Sequence, residues 1–186
     1  MVAHPEPATM TVEEYLALEQ TSQVKHEYSH GRVYAMSGGT VAHDRIANNV
    51  RTALDNHIGD GPCMVLGPDV RLQVSETIYY YPDAMVICDD SPDLGALEVQ
   101  TPRLIIEVLS DSTEASDRGD KFANYQTLDS FEEYLLVDSR RRAVERYRRA
   151  EHGRWIYQRY GPDASVTLET IGLTCSVATF YRRTPL

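Results

Sequence analysis

Apolar residues recur along the chain with two different periods, which predicts both helices and strands. Between residues 40 and about 58 they return every three or four positions, and Gly59 follows, so an amphipathic helix is expected there. Nearer the start of the chain, Thr11 and Glu14 form a capping box that predicts a shorter helix. A third helix is predicted from residue 114 to about 128.

Short segments rich in apolar and β-branched residues predict the strands. Two of them, residues 26–28 and 32–36, flank a Ser-His-Gly sequence and are expected to form a hairpin. The order of the elements indicates an α/β fold of mixed α+β type around a central sheet. Residues 1–9 are interpreted as a loose N-terminal arm and residues 10–186 as one domain. The other predicted strands are 64–66, 70–74, 84–88, 104–109, 133–137, 143–148, 155–160 and 166–168.

The composition fits a globular domain with a negative net charge. The chain has 186 residues, of which 42% are hydrophobic, and a formal net charge of −10. An acidic body disfavours tight nonspecific binding to nucleic acids, because such binding depends on neutralising phosphates. The arginine-rich segment 140–159 also contains aromatic residues and could contact a nucleic acid directly. The favoured alternative is a solvated hairpin whose arginines pair with acids elsewhere.

Three features predict a cytoplasmic protein without a membrane partner. No stretch approaches the roughly 20 apolar residues that a membrane span requires. The N-terminal sequence has no basic start followed by an apolar segment. The cysteines, Cys63, Cys88 and Cys175, are far apart, odd in number and without a CxxC pair. We therefore expect reduced thiols, with neither a zinc knuckle nor a disulfide framework.

A single carboxylate interrupts the most apolar strand. Residues 104–109 read Leu-Ile-Ile-Glu-Val-Leu, which is typical of a strand buried on both faces. An unpaired charge in that setting costs several kcal/mol or becomes protonated. Glu107 therefore requires a partner, which would be a functional cation or base, or an arginine in a structural ion pair. Because perturbed acids cluster at functional sites, the functional interpretation is favoured.

A second acid stands at the start of another apolar strand. Asp83 follows Pro82, and proline is typical of the first residue of a strand. An aspartate after proline is also common in ordinary turns. Together with Glu107, however, Asp83 would provide two carboxylates on neighbouring strands, and these suit a hard cation such as Mg²⁺.

Five segments in this order resemble the PD-(D/E)XK nuclease superfamily and, within it, the "putative restriction endonuclease" family long labelled a domain of unknown function. The resemblance implies a restriction-endonuclease-like fold, a central mixed β-sheet flanked by helices. It also implies a metal-dependent nuclease in which Asp83 and Glu107 bind Mg²⁺ or Mn²⁺ and Glu27 assists as a further catalytic acid. The matching segments are 25–33, 81–86, 104–110, 117–125 and 132–138.

One position departs from the superfamily pattern. The lysine expected two residues after the acid is replaced by Leu109, which would share a strand face with Glu107. The chain contains only two lysines, Lys25 and Lys121. Relatives in the family carry a lysine at the place of Lys121, so we expect it to reach the same site from the following helix as a catalytic residue. The alternative is a solvated lysine that pairs with Asp117 four residues earlier.

Other polar residues receive lesser roles. His43, near a helix start, resembles a family position and is an accessory candidate, although such a histidine often makes only a local hydrogen bond. Tyr125, at the end of the fourth matching segment, is the second accessory candidate. Asp111, Asp117 and Asp120 are interpreted as helix N-terminal charges that the dipole favours.

The hypothesis from the sequence is an endonuclease that hydrolyses phosphodiester bonds of DNA with Mg²⁺ or Mn²⁺ and acts as a homodimer. The main alternative is a catalytically inactive nuclease fold that binds a nucleic acid or a protein partner, which Leu109 and the net charge support. The least favoured alternative is a structural module in which Glu107 is merely ion-paired. Substrate type and sequence specificity do not follow from these patterns.

Overall fold

The computed structural model of the protein describes residues 9–89 and 92–186. Most of the predicted N-terminal arm, residues 1–8, therefore lies outside the described residues. No helix in the described part of the chain is long and apolar enough to cross a membrane. The elements are α1 (Val12–Thr21), β1 (His26–Ser29), β2 (Arg32–Ala35), α2 (Val41–Ile58), β3 (Cys63–Leu66), β4 (Arg71–Ser75), β5 (Ile78–Tyr80), β6 (Ala84–Cys88), β7 (Glu98–Val99), β8 (Pro102–Leu109), α3 (Glu114–Ser116), a π-turn (Asp117–Lys121), α4 (Phe122–Tyr125), β9 (Glu133–Asp138), β10 (Val144–Arg149), β11 (Trp155–Tyr160), β12 (Ser165–Leu168) and β13 (Leu173–Ser176).

Within residues 9–89 and 92–186, the strands form two large sheets and a small one. The largest has the strand order β11-β10-β9-β8-β6-β3, in which β8 runs parallel to β9 and antiparallel to β6. The second has the order β2-β1-β5-β4-β7, and β12 pairs with β13 separately. The predicted mixed α/β class is confirmed, although the structure has two large sheets where the sequence predicts one central sheet.

Strand β8 packs on both faces, as its apolar pattern predicts. Leu104, Ile106 and Val108 lie in the same core as α2, whereas Ile105 and Leu109 lie in the other core, among aromatic residues. The α2 residues in the first core are Ile46, Ala47, Val50 and Leu54. Burying a large aliphatic side chain stabilises a fold by about 1.5–3 kcal/mol, so these two cores fix the strand that carries Glu107.

Local signals in the sequence locate the first elements correctly. Thr11 and Glu14 form the reciprocal capping box of α1, and the Thr40 side chain accepts a hydrogen bond from the His43 N–H at the start of α2. Strands β1 and β2 form the predicted hairpin. Its turn requires positive φ, which Gly31 adopts at 87° without a side-chain penalty.

The helix predicted at residues 114–128 is interrupted and ends earlier. The π-turn separates α3 from α4, and α4 ends at Tyr125. The spacing of apolar residues does not reveal such a turn. Over only five residues, an α-helix and a π-helix direct nearly the same side chains toward the core. The pattern also gives no prediction of β5, β7 and β13, which have four residues or fewer.

The expectation of unpaired cysteines is wrong for two of the three. Cys63 on β3 and Cys88 on β6 lie directly opposite each other in the antiparallel register and form a disulfide, whereas Cys175 is free. The two partners are 25 positions apart in sequence. Only the register of the two strands brings them together, and spacing alone does not reveal that register.

Candidate active site

Two neighbouring strands place Asp83 beside Glu107. Asp83 immediately precedes β6, and Ala84 is paired with Ile106 across the sheet. The Asp83 N–H donates to Glu107 Oε2 at 3.4 Å, and the Val108 N–H donates to Asp83 Oδ2 at 2.7 Å. Glu107 therefore accepts from the backbone of Asp83, and Asp83 accepts from the backbone of the residue after Glu107, which fixes their relative position.

Glu107 is held inside the protein by a lysine and a tyrosine. The residue is 3% exposed, and its Oε1 accepts hydrogen bonds from the Tyr125 hydroxyl at 2.9 Å and from Lys121 Nζ at 3.3 Å. Burial raises the pKa of Glu107 well above 4.5; the charge of Lys121 opposes this rise, and those of Asp117 and Asp83 add to it. Its cationic partner is thus a lysine and not the arginine considered for a structural ion pair.

Lys121 lies among three carboxylates. Its Nζ is 2.7 Å from Glu27 Oε1, 3.3 Å from Glu107 Oε1 and 3.4 Å from Asp117 Oδ1. Burial lowers the pKa of Lys121, but the three carboxylates outweigh burial and hold that pKa well above 10.5. Lys121 is 5% exposed, so its interpretation as a solvated helix lysine is wrong.

The π-turn and α4 together direct three polar side chains inward. Asp117, Lys121 and Tyr125 follow one another at intervals of four residues, and they are 2%, 5% and 0% exposed. The Tyr134 hydroxyl, on β9, donates to the Asp117 carbonyl at 3.0 Å and ties the start of the π-turn to the sheet. Turns of this kind are frequent at functional sites, which agrees with the charged residues it carries.

Asp117 is the residue of this site that sequence reasoning missed. Its assignment as a helix N-terminal charge is wrong, because it lies buried within the π-turn. Burial raises the pKa of Asp117, and Lys121 together with the Thr113 hydroxyl partly opposes that rise. Its Oδ1 accepts no hydrogen bond, although Lys121 Nζ is within ion-pair distance. Its burial depends on the π-turn, which the sequence pattern does not reveal.

His43 and Arg51, both on α2, contact Asp83. His43 Nε2 is 3.4 Å from Asp83 Oδ2, and Arg51 Nη1 donates to the Asp83 carbonyl at 3.0 Å. The hydrogen bond with Asp83 raises the pKa of His43 above 6.5, against the effect of burial. Gly39 packs against the imidazole so closely that a Cβ there would lie 2.8 Å from His43 Nδ1. His43 therefore makes the contact with the site that its sequence position suggests.

The structure brings together all six residues predicted for the site. They are Asp83, Glu107, Lys121, Glu27, His43 and Tyr125. The side chains of Asp83, His43 and Glu27 are 19%, 18% and 16% exposed, whereas the other three are buried. A substrate would therefore meet the partly exposed residues first. Leu109 is 1% exposed and belongs to an apolar cluster.

Negative charge exceeds positive charge at this site. We call Glu27, Asp83, Glu107 and Asp117 the carboxylate cluster; Lys121 is the ammonium group that contacts three of them. Buried charges are costly without compensation, and an all-oxygen donor set suits Mg²⁺ or Mn²⁺. Among the described residues, no three His, Cys, Asp or Glu side chains are already arranged to hold a metal ion. The negative charge and the oxygen donors of the cluster thus fit a divalent cation. In this structure, however, the carboxylates are arranged around the ammonium group of Lys121 and not around a metal position.

The arginine-rich segment 140–159 is largely engaged within the chain. Arg146 is 5% exposed and lies within ion-pair distance of Glu133 and Glu169. Arg140 forms ion pairs with three carboxylates. These two arginines are therefore occupied by acids of the same chain.

Most of the chain matches one protein family. The sequence profile of the Uma2 family, described as "Putative restriction endonuclease", matches residues 12–178. Two uncharacterized proteins of Synechocystis sp. are 36% and 34% identical to this chain. The first similarity covers 98% of both chains, and the second covers 79% of this chain and 85% of the relative.

The fold is similar to that of a solved structure. A crystal structure from Anabaena variabilis, described as a "putative nuclease belonging to DUF820", has a TM-score of 0.77 with 16% sequence identity. The similarity covers 92% of this chain and 97% of the other. It confirms the predicted nuclease-like fold, and the family match confirms the resemblance noted in the sequence. The chain therefore belongs to the Uma2 family, the family described as "Putative restriction endonuclease".

Proposed function

We propose that this protein is an endonuclease that hydrolyses phosphodiester bonds of DNA with the help of a divalent cation. The observation that carries the proposal is the carboxylate cluster around Lys121. A structural ion pair with Lys121 would require one acid, whereas four acids converge here and two of them are at most 3% exposed. Membership of the family described as "Putative restriction endonuclease" supports the same chemistry.

Asp83 and Glu107 would hold Mg²⁺ or Mn²⁺, because they are adjacent and supply hard oxygen ligands. A cation bound there would polarise a phosphoryl oxygen and lower the pKa of a bound water. The Tyr125 hydroxyl and the Asp83 N–H hold the two oxygens of Glu107, so this carboxylate keeps one orientation. The Val108 N–H does the same for one oxygen of Asp83.

Lys121 would supply the positive charge that the superfamily pattern places two residues after Glu107. Its raised pKa keeps the ammonium protonated at neutral pH. In that form it would stabilise the negative charge that develops on the phosphate, or orient the attacking water. On the more exposed side of the site, Glu27 Oε1 lies 2.7 Å from Lys121 Nζ. His43 contacts Asp83.

A homodimer acting on duplex DNA belongs to the same proposal. Cutting both strands requires two sites of opposite polarity, which a twofold-symmetric pair provides. The net charge of −10 restricts attraction for phosphates to local contacts, so few phosphates would be neutralised and the salt dependence of binding should be shallow. Sedimentation measurements at assay concentrations would test the assembly. An active monomer would contradict the dimer without affecting the assigned chemistry.

The nuclease proposal can be tested with supercoiled plasmid, linear duplex, single-stranded DNA and RNA, each with Mg²⁺, Mn²⁺ or a chelator. We expect Glu107→Gln and Asp83→Asn to abolish cleavage. Glu132→Gln serves as the matched control, because Glu132 is a partly exposed acid that pairs with Arg103. Mn²⁺ should raise the melting temperature of the wild type and not that of Glu107→Gln, since a ligand of the native state stabilises it.

Two results would overturn the proposal. One is Glu107→Gln cleaving as fast as the wild type. The other is wild-type protein that cuts none of the four substrates with either cation. If that protein still binds nucleic acid, the inactive binding fold replaces the nuclease; if it binds none, a protein partner becomes the alternative.

A further inference from the structure

We propose that Asp117 is a positioning residue, which aims the ammonium group of Lys121 at Glu107. This inference rests on the proposed nuclease function and adds a residue to it. Asp117 would act through Lys121 and would not itself touch substrate or cation. Lys121 lies on the connection between β8 and β9, and not on a strand. Asp117 would hold it there as firmly as a strand residue is held.

The first support is the burial and contacts of Asp117. The residue is 2% exposed, which leaves no role for it as a solvated charge. Its Oδ1 lies 3.4 Å from Lys121 Nζ and accepts no hydrogen bond of good geometry. Burying a carboxylate oxygen without a hydrogen bond costs free energy unless a nearby positive charge compensates it. Lys121 is the cation next to this oxygen.

The second support is the number of carboxylates within ion-pair distance of Lys121. An ammonium group has three N–H donors, and three carboxylates lie within 3.4 Å of it. Glu27 and Glu107 alone would neutralise its charge. The third carboxylate adds direction instead, because its charge attracts the ammonium from the π-turn, whereas Glu27 and Glu107 attract it from two strands. Removing Asp117 would leave Lys121 charged and buried but free to turn toward Glu27.

The third support is the way in which Asp117 is anchored. Its carbonyl accepts a hydrogen bond from the Tyr134 hydroxyl, and Tyr134 is a fully buried residue of β9. β9 is the parallel neighbour of β8, which carries Glu107. A connected path therefore leads from the sheet through Tyr134 and Asp117 to Lys121, and back to the sheet at Glu107. The π-turn that contains Asp117 and Lys121 is part of this path.

The chain permits a direct measurement of Lys121. Because it contains only two lysines, protein labelled with ¹⁵N-lysine gives two side-chain Nζ signals, from Lys121 and from the partly exposed Lys25. We expect Asp117→Asn to shift and broaden the Lys121 signal while the Lys25 signal stays unchanged. Asp120→Asn is the matched control, since Asp120 lies in the same π-turn but is exposed; it should move neither signal.

Kinetics and cation binding complete the test. For Asp117→Asn we expect kcat for DNA cleavage to fall about tenfold or more, as for other groups that position transition-state charge. The KM for DNA and the Mn²⁺ affinity from calorimetry should stay within about twofold of the wild type. A merely structural role would not separate kcat from these two constants.

Defined results would overturn the inference. They are an unmoved Lys121 signal in Asp117→Asn, or a loss of Mn²⁺ affinity as large as the loss of kcat, which would make Asp117 a ligand. If Asp117→Asn does not fold, Tyr134→Phe decides, because it removes the hydroxyl that donates to the Asp117 carbonyl at 3.0 Å. This variant should move the Lys121 signal less but in the same sense, and no movement would refute the role. Wild-type protein without nuclease activity would refute the proposed function, whereas the two lysine signals would still show whether Asp117 orients Lys121.

Discussion

The Glu27 carboxylate lies 2.7 Å from the Lys121 ammonium, and the two residues belong to different parts of the fold. Glu27 is on β1 of the second sheet, whereas Lys121 lies in the crossover that joins β8 to β9 of the largest sheet. The candidate site is therefore also a point of attachment between the two sheets. Changes to its charges should affect stability as well as chemistry.

Replacing Lys121 with an uncharged residue should destabilise the fold, because the excess of negative charge at the site is then no longer compensated. In Lys121→Met the acids Glu27, Glu107 and Asp117 lose their common cation, which for buried pairs costs about 3–5 kcal/mol. The free energy of unfolding in urea at neutral pH should fall by that order, and Mg²⁺ or Mn²⁺ should restore part of it. Lys25→Met is the control, because Lys25 pairs with the exposed Asp69. Equal losses in the two variants would contradict a special role for Lys121.

Stability should depend on pH through Glu107. Its pKa in the folded protein is raised well above 4.5, so the folded state holds this proton more tightly than the unfolded chain. The stability that Glu107 contributes is then fully present below about pH 4.5 and is lost as the pH rises through its raised pKa. Thermal unfolding of the wild type and of Glu107→Gln across this range would measure the effect.

The relevant quantity is the difference in stability between the wild type and Glu107→Gln. It is needed because acids with lowered pKa values change the stability with pH in the opposite direction. Asp69, Glu114 and Asp138 are of this kind, and the stability they contribute is lost as the pH falls. The wild type should lose stability relative to Glu107→Gln with rising pH, and less so with Mn²⁺ present. A difference that is constant across the range would show that Glu107 does not titrate abnormally.

Gly39 should be required for the position of His43. A Cβ on residue 39 would lie 2.8 Å from His43 Nδ1, so Gly39→Ala must displace the imidazole from Asp83. We expect the pKa of His43, measured by NMR titration, to move back toward 6.5, and DNA cleavage to decrease. In Gly38→Ala, where a Cβ meets no described atom within 4 Å, neither quantity should change. An unshifted His43 in Gly39→Ala would refute this dependence.

The disulfide should contribute to stability under oxidising conditions. Cys63 and Cys88 are 25 positions apart, and closing a loop of that order stabilises a protein by about 3 kcal/mol in the chain-entropy description. Reduction should therefore lower the melting temperature of the wild type. The double variant Cys63→Ser/Cys88→Ser should melt at the lower temperature with or without reductant. A wild type that melts identically in both conditions would show that the bond does not form in solution.

The sequence predicts the framework of the site better than its interior. Asp83 and Glu107 stand out because each interrupts or opens an apolar strand, and local pattern suffices to show that. Glu27, Lys121 and His43 required the resemblance to a family, since their positions depend on how distant elements pack. Their convergence is a property of the sheet order and not of any spacing along the chain.

Two features could not be predicted for a different reason. The burial of Asp117 depends on the π-turn, and the sequence from 114 to 125 is equally compatible with a regular helix. The pairing of Cys63 with Cys88 depends on strand register, which is a long-range property. In both cases the structure depends on a tertiary contact, and the spacing of apolar residues along the chain does not predict that contact.

The parallel pairing of β8 with β9 requires a long connection between the two strands. The connection between these strands, residues 110–132, carries Asp117, Lys121 and Tyr125, and it must close before the pair can form. Contacts between strands so distant in sequence form slowly, because loop closure costs entropy before any pairing is gained. After denaturation, the carboxylate cluster should consequently re-form no sooner than this strand pair.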